Sequence, residues 1–281
     1  MKVYNRLDIS LDDLSGRSRR LARMKNFLLL LRKSIAELSR YPGFLLIAWL
    51  VVMLSLPLLN LIFGVQTLLQ GLTLAILFQA AFVLNVLYRA WGWWSMLRVA
   101  ASVLLLVWVV QAIIIRSGLP YGNLRYTPSL QPQLLGIPFI IPVTWLMMLP
   151  AAWVVARLIT RKLSGCLLRP LFVLASAVCF TGWMVYFDSL LAHFGILQWT
   201  PVGDFYGIPG VHYVFWLFIS GLITFSISPK RLPGGSLLLV YTFTWLAQFI
   251  TLLIFGGLLV PALLGFALMG GLLLWAGLFT G

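Results

Sequence analysis

From about residue 44 onward the chain alternates between apolar runs and short polar, glycine- or proline-bearing breaks. A run of about 20 apolar residues is the length an α-helix needs to cross the hydrocarbon core of a bilayer. Eight such runs fall near 44–64, 67–87, 95–115, 134–158, 170–193, 210–228, 236–255 and 258–279. The pattern predicts an all-α, polytopic membrane helix bundle over 44–281, preceded by a separate arm over 1–43. Only Gly256-Gly257 separates the last two runs, and Pro261 lies just inside the final one. One long broken helix there would reduce the count to seven.

Composition agrees with that solvent. Of 281 residues 62% are hydrophobic and 9% charged, with a mean hydropathy of +1.02. A soluble domain carries about 25% charged residues, so lipid is the expected surroundings. The net charge of +14 would elsewhere suggest nucleic acid, but its distribution excludes that reading. The arm carries ten of the 20 Lys and Arg. With the N-terminus inside, Arg89, Arg98, Arg157, Arg161, Lys162, Arg169, Lys230 and Arg231 also fall inside, and only Arg116 and Arg125 outside. Such asymmetry predicts an N-in, C-in multi-pass protein of the cell membrane. The arm itself, RSRRLARMKNFLLLLRKSIAELSR, mixes cations with Leu, Phe and Ile as an interfacial helix on anionic lipid would; it could equally serve only to set orientation. FLLLL is too short for a signal-peptide core. Cys166 and Cys179 have no metal or redox spacing and read as packing residues.

Acids are scarce, with six in the chain. Asp8, Asp12, Asp13 and Glu37 lie in the arm, leaving Asp188 and Asp204 for the membrane domain. His193 and His212 fall in the same window, at the outer ends of the fifth and sixth helices. The break RSGLPYGNLRYTPSLQPQLLGIP, with Arg116, Tyr121, Arg125 and Tyr126, lies on that outer side too. Two distant segments are thus expected to wall one polar pocket. Ionisable groups near membrane depth are costly and point to function with a named partner; for Asp188 the candidates are Arg116 or Arg125, in a catalytic or a structural ion pair. The aromatics could also form an interfacial belt. The spacings of Asp188, His193, Asp204 and His212 match no metal motif, so no metal is expected.

A short pattern occurs twice. Gly136-Ile137-Pro138 and Gly207-Ile208-Pro209 are each followed, seven residues after the proline, by a tryptophan, Trp145 and Trp216. Proline suits a first helical turn, where its missing N–H has no intrahelical partner anyway. Both helices are expected to start at the outer pocket, whether by duplication or shared helix-start chemistry. There is no Asp-rich pair for a magnesium diphosphate, no glycine-rich phosphate cradle, no HExxH and no cysteine cluster. Carboxylate, imidazole, phenol and guanidinium remain, with no cofactor.

PYGNLRYT, LGIPFIIPVTWLMM, the Asp188 region and DFYGIP…W resemble the membrane-integral carotenoid biosynthesis family, which includes γ-carotene 1′,2′-hydratase and bisanhydrobacterioruberin hydratase. The resemblance covers about residues 100–225. It implies a membrane enzyme that hydrates the terminal C1=C2 double bond of an acyclic carotenoid end. The chain departs from the family pattern at Leu124, where an aromatic is usual, and at Asp188-Ser189 in place of Asp-Pro. It departs again at Met184, where an acid is expected, and at His212, where Asn is common. Hydration protonates C2 to give a tertiary cation at C1, which water captures. The donor must be a carboxylic acid kept neutral near pH 7, which an apolar wall favours. Asp188 is the expected general acid, and His212 or Asp204 would orient or deprotonate the water. Trp183, Tyr186, Trp199 and Tyr206 would shield the cation through their π faces, with the polyene tail in lipid. The alternatives are a non-catalytic binder of carotenoid or another isoprenoid, and a transporter. The scattered, uncharged Asn60, Gln79, Asn85, Gln111 and Gln248 do not favour the transporter.

Overall fold

Eight helices long and apolar enough to cross a membrane succeed one another in the computed structural model, which describes residues 29, 32, 34–36, 41–229 and 231–278. Most of the basic arm, and with it the expected interfacial helix, lies outside the described residues. The helices are α1 (Gly43–Phe63), α2 (Val65–Trp91), α3 (Trp93–Ser117), α4 (Ile140–Thr160), α5 (Leu168–His193), α6 (Gly210–Ile227), α7 (Gly234–Ile250) and α8 (Leu259–Leu278). A π-helical turn, Thr251–Phe255, extends α7 before the break. Gly257 then takes φ +61°, which only glycine adopts freely, so the last two runs are separate spans and the count is eight rather than seven.

The fourth span departs from its expected limits. It was expected to start at 134 but begins at Ile140, because Gln133–Leu134 (β2) pairs with Ile137–Pro138 (β3) in a tight hairpin. The turn residues Leu135 and Gly136 both have positive φ, 56° and 79°, as a two-residue loop matching strand twist requires. Two further strands, β1 (Asn123–Tyr126) and β4 (Leu197–Thr200), pair antiparallel with Asn123 opposite Thr200 and Tyr126 opposite Leu197. The membrane-spanning part is all-α, and these short sheets dress one end of it.

Burial identifies the centre of the bundle. In α4 and α5, 78% and 67% of the spanning window is buried, against 28% in α1 and in α3. Without a hydrophobic drive between helices in lipid, close approach at small residues and internal hydrogen bonds hold such a bundle together. Gly182 of α5 lets α8 approach so closely that a Cβ there would meet Leu268 Cβ at 3.1 Å. At the other end of the α4–α5–α6 core, Trp153 Nε1 donates to Thr224 Oγ1 at 2.9 Å, and Ser176 Oγ lies 3.1 Å from the same oxygen.

Candidate functional site

The α3–α4 and α5–α6 connections converge on one end of the bundle. Along β1 the exposed Asn123 and Arg125 alternate with the buried Leu124 and Tyr126; along β4 the buried residues are Leu197 and Trp199. Gly122 is needed at the start of this pairing. Its φ is +94°, and a Cβ there would lie 2.8 Å from the carbonyl oxygen of Thr200. Beyond β4, Gly203 opposes Gly207 and Phe205 opposes Ile208 in a tight loop that delivers Ile208 to the core and starts α6. Ile137 and Ile208, the central residues of the two Gly-Ile-Pro copies, are both fully buried. The tryptophans that follow them meet, with Trp145 and Trp216 ring centroids 5.0 Å apart.

Beneath this cover lies a buried pair. Asp188, in the last two turns of α5, is 5% exposed, and His212, in the first turn of α6, is 1% exposed. His212 Nε2 and Asp188 Oδ2 are 2.8 Å apart. The carboxylate oxygen can only accept when ionised, so Nε2 then carries the shared proton. His212 Nδ1 is buried without a hydrogen-bond partner. Tyr121 and Trp199 pack edge-on against the imidazole, each 5.1 Å between centroids, and Tyr213 does so at 5.3 Å. Tyr121 Oη, Trp199 Nε1 and Tyr213 Oη also lack partners within bonding geometry. So many unpaired polar atoms around one imidazole mark a place for water or a polar group of a ligand.

Of these residues His212 lines a cavity, as does Trp183, whose Nε1 is also buried without a partner. This small cavity, bordered by Asp188, His212, Tyr126, Trp145, Trp183 and Trp216, leaves about 10 Å³ for the centre of a water molecule, on the order of one water. Gln111 and Thr144 contribute its polar rim; Gln111 Oε1 accepts from Tyr126 Oη at 3.2 Å. Burial pushes the phenols of Tyr121 and Tyr126 well above their ordinary value, with the negative charge of Asp188 acting in the same direction. Both therefore stay protonated and can act as hydrogen-bond donors but not as bases.

Residues 71–272 match the family described as Carotenoid biosynthesis protein. The chain belongs to that family. The matched span takes in both loops, Asp188 and His212, and makes this multi-pass membrane protein, with eight candidate spans among the described residues, a member of the carotenoid biosynthesis family. No curated protein and no solved structure matches the chain.

In this carotenoid biosynthesis protein the residues singled out from sequence divide into two groups. Asp188, His212, Tyr126, Trp145, Trp183 and Trp216 border the cavity, and Tyr121 and Trp199 cover the imidazole. The others lie apart. Arg116 and Asp204 are exposed, and Tyr206 is exposed against the ring of Phe205. Tyr186 is buried against α8, where a Cβ on Gly265 would come within 2.6 Å of its ring. The expected ion pair of Asp188 with Arg116 or Arg125 is not formed: its partner is His212, and Arg125 Nη2 instead donates across the β1–β4 sheet to Gln198 Oε1 at 2.9 Å. The reason is strand alternation, which turns Leu124 and Tyr126 inward and Arg125 outward. His193, at the end of α5, is exposed beside Phe194. Gln111, Thr144 and Phe187 line the cavity but were not singled out for it; Gln111 had drawn notice only as a scattered polar residue. The usable signal was Gln111's place two turns before the outer end of α3.

Proposed function

We propose that this carotenoid biosynthesis protein adds water across the terminal double bond of an acyclic carotenoid end, with Asp188 and His212 moving the protons. The observation that carries the reading is the buried Asp188–His212 contact of 2.8 Å beside a cavity of water size walled by aromatic rings. Protonated Asp188 gives its proton to C2 of the end group, leaving a tertiary cation at C1. Water bonds to C1 and yields a proton to His212 Nδ1, the buried atom without a partner. The proton on Nε2 passes to Asp188 Oδ2, restoring the proton count of the pair, so that the net change is one water added. Trp145, Trp183 and Trp216 present π faces that stabilise the cation. Among the described residues no arginine pairs with Asp188 to hold it ionised.

The apolar tail of the substrate has a surface of suitable chemistry. An apolar groove of about 440 Å³ runs between α3 and α4, lined by Leu104, Leu105, Trp108, Leu134, Phe139 and Pro142. Leu105 and Phe139 are 62% and 50% exposed, so in a bilayer the groove opens to lipid. Trp108 lies one turn from Gln111 on α3, and Pro142 is next to Ile141 on α4; Gln111 and Ile141 line the cavity. The polyene lies in the groove, and its end reaches the pair by parting this seam. Expression in cells making lycopene or γ-carotene, followed by mass analysis of the pigments, tests the proposal. A product heavier by one water is expected, lost in Asp188→Asn. Carotenoid that co-purifies without gaining water would instead indicate a binding protein.

A further inference from the structure

The opposite end of the bundle carries a second cavity that the proposed reaction does not use. It measures about 440 Å³ and lies between the α2–α3 turn and the α6–α7 turn, bordered by Trp91, Ser95, Arg98, Ser228, Pro229 and Arg231. The two turns are tied directly, Trp91 Nε1 donating to the carbonyl of Arg231 at 3.3 Å. Nearby arginines are committed elsewhere. Arg157 Nη2 donates to the Pro229 carbonyl at 3.1 Å with its guanidinium 4.8 Å from the centre of the Phe172 ring. Arg169 Nη2 lies 3.1 Å from both the Phe225 carbonyl and Ser228 Oγ, with its guanidinium 4.0 Å from the centre of the Phe225 ring. They brace the α6–α7 turn and add positive potential to it.

Arg98 and Arg231 are different. Both are exposed side chains at the cavity edge. Arg98 Nη2 donates to Ser95 Oγ at 3.4 Å, and neither Arg98 nor Arg231 pairs with a described carboxylate. The described acids, Asp188 and Asp204, belong to the other half of the molecule's polar groups, at and above the Asp188–His212 site. Trp93 and Trp94, 53% and 72% exposed, lie between the cavity residues Trp91 and Ser95 in the chain, exposed as tryptophans are at a headgroup layer. Two guanidinium forks and the Ser95 hydroxyl, with no competing acid among the described residues, suit a phosphate group, since guanidinium binds phosphate oxygens bidentately. The size falls within the range of ligand-holding clefts, roughly 300–1,000 Å³. Positive-inside orientation places it at the leaflet that carries anionic lipid.

We propose that this cavity binds one phosphate group, supplied by the headgroup of an anionic phospholipid, through Arg98 and Arg231. The full chain, purified in detergent and delipidated, is titrated with phosphatidylglycerol, phosphatidylcholine or inorganic phosphate, and bound species are counted by native mass spectrometry. One phosphatidylglycerol is expected to remain bound at activation energies that strip phosphatidylcholine. Arg98→Ala/Arg231→Ala should weaken it about tenfold or more, as loss of charge-assisted bonds does. Arg161→Ala/Lys162→Ala, with the same loss of charge on the same side, should leave it unchanged. Ser95→Asp keeps both arginines and places an acid in the first turn of α3, where it favours the helix; it should expel the lipid by occupying the forks. If inorganic phosphate fills the site equally well and phosphatidylglycerol has no advantage, the phosphate chemistry stands and its source is a free anion. Equal losses in the two double variants, or full binding by Ser95→Asp, would show a diffuse basic surface and overturn the site.

Discussion

Removing one member of the Asp188–His212 pair should cost far more stability than removing both. His212→Phe keeps a ring among Tyr121, Trp199, Tyr213 and Trp216, whose centroids lie 5.1–6.1 Å from the imidazole. It leaves Asp188, 5% exposed, without its bond of 2.8 Å. With Asp188 protonated, as the proposed reaction requires, this leaves a buried neutral polar group without its partner, a loss of about 1–3 kcal/mol. Asp188→Leu leaves His212 Nε2 buried and unpaired, a loss of about 1–3 kcal/mol. The double variant exchanges both groups for apolar ones of similar shape, and such replacements are often neutral. The expected coupling is therefore about 2 kcal/mol or more, the lower ends of the two single losses taken together, with the double variant melting close to the parent. For chains of this size about 1 kcal/mol moves the midpoint roughly 2–4 °C, so His212→Phe alone should lower it by about 2 °C or more. Thermal melts in detergent give the stability arm, and pigment mass analysis gives the activity arm. All three variants should form no hydrated product. A double variant that loses the sum of the single losses would show that the two side chains do not act as a pair; hydrated product from it would end the proton-transfer proposal even if the coupling is as calculated.

Gly122→Ala should destabilise the loop pairing by about 1–3 kcal/mol, the range for a non-glycine residue forced into such backbone, because φ is +94° and Thr200 O lies 2.8 Å from the new Cβ; hydrogen exchange should rise at β1 and β4 while the inner halves of α4 and α5 keep their protection. At high pH the protein should lose stability as the unfolded chain ionises its tyrosines near 10 while Tyr121 and Tyr126, with raised folded-state values, stay neutral. The stabilising difference is complete below the unfolded value and disappears as pH rises, so Tyr121→Phe/Tyr126→Phe should flatten the alkaline fall in melting midpoint. Leu105→Trp should fill the α3–α4 groove and lower conversion of a long carotenoid about tenfold or more with little change in melting, since Leu105 is 62% exposed; unchanged conversion would remove the groove from the substrate path.

The spans were legible because lipid imposes a single rule, about 20 apolar residues per crossing, and the sequence obeys it with clear breaks. Seven helices begin and end within a few residues of the runs read from the chain, and the fourth differs because Leu135-Gly136 makes a hairpin turn inside an apolar stretch. Periodicity cannot register that, since Leu134, Ile137 and Phe139 look the same in a short strand as in a helix. The convergence of the two outer loops was readable from the placement of acids, histidines and the repeated Gly-Ile-Pro. The partner of Asp188 was not. Charge complementarity favoured an arginine, but which side of Asn123–Tyr126 faces inward depends on a strand whose β4 partner is 73 residues away in chain terms at Arg125 and Gln198. Asp204 and Tyr206 fall beside a Gly-Ile-Pro copy in sequence yet point outward, because the loop must turn over Gly203 to bury Ile208.

The two ends of the bundle use charge in opposite ways, and the difference bears on what chemistry each can support. At the end that carries the α6–α7 turn, Arg157 and Arg169 are held against carbonyls and ring faces, so the surface keeps a fixed positive field. At the end dressed by the β1–β4 pairing, Arg116 and Arg125 sit on exposed positions, and Asp188, the one buried carboxylate among the described residues, faces an imidazole. An arginine at hydrogen-bond distance would hold that carboxylate ionised and unable to give up a proton. An imidazole is a titratable partner, able to take or return the proton within one bond. The same geometry therefore ties the pair to proton movement more closely than an arginine bridge in the same place would. The rings of Trp145 and Trp216, brought together by the repeated loop motif, keep bulk water from the pair while leaving room for about one molecule beside it.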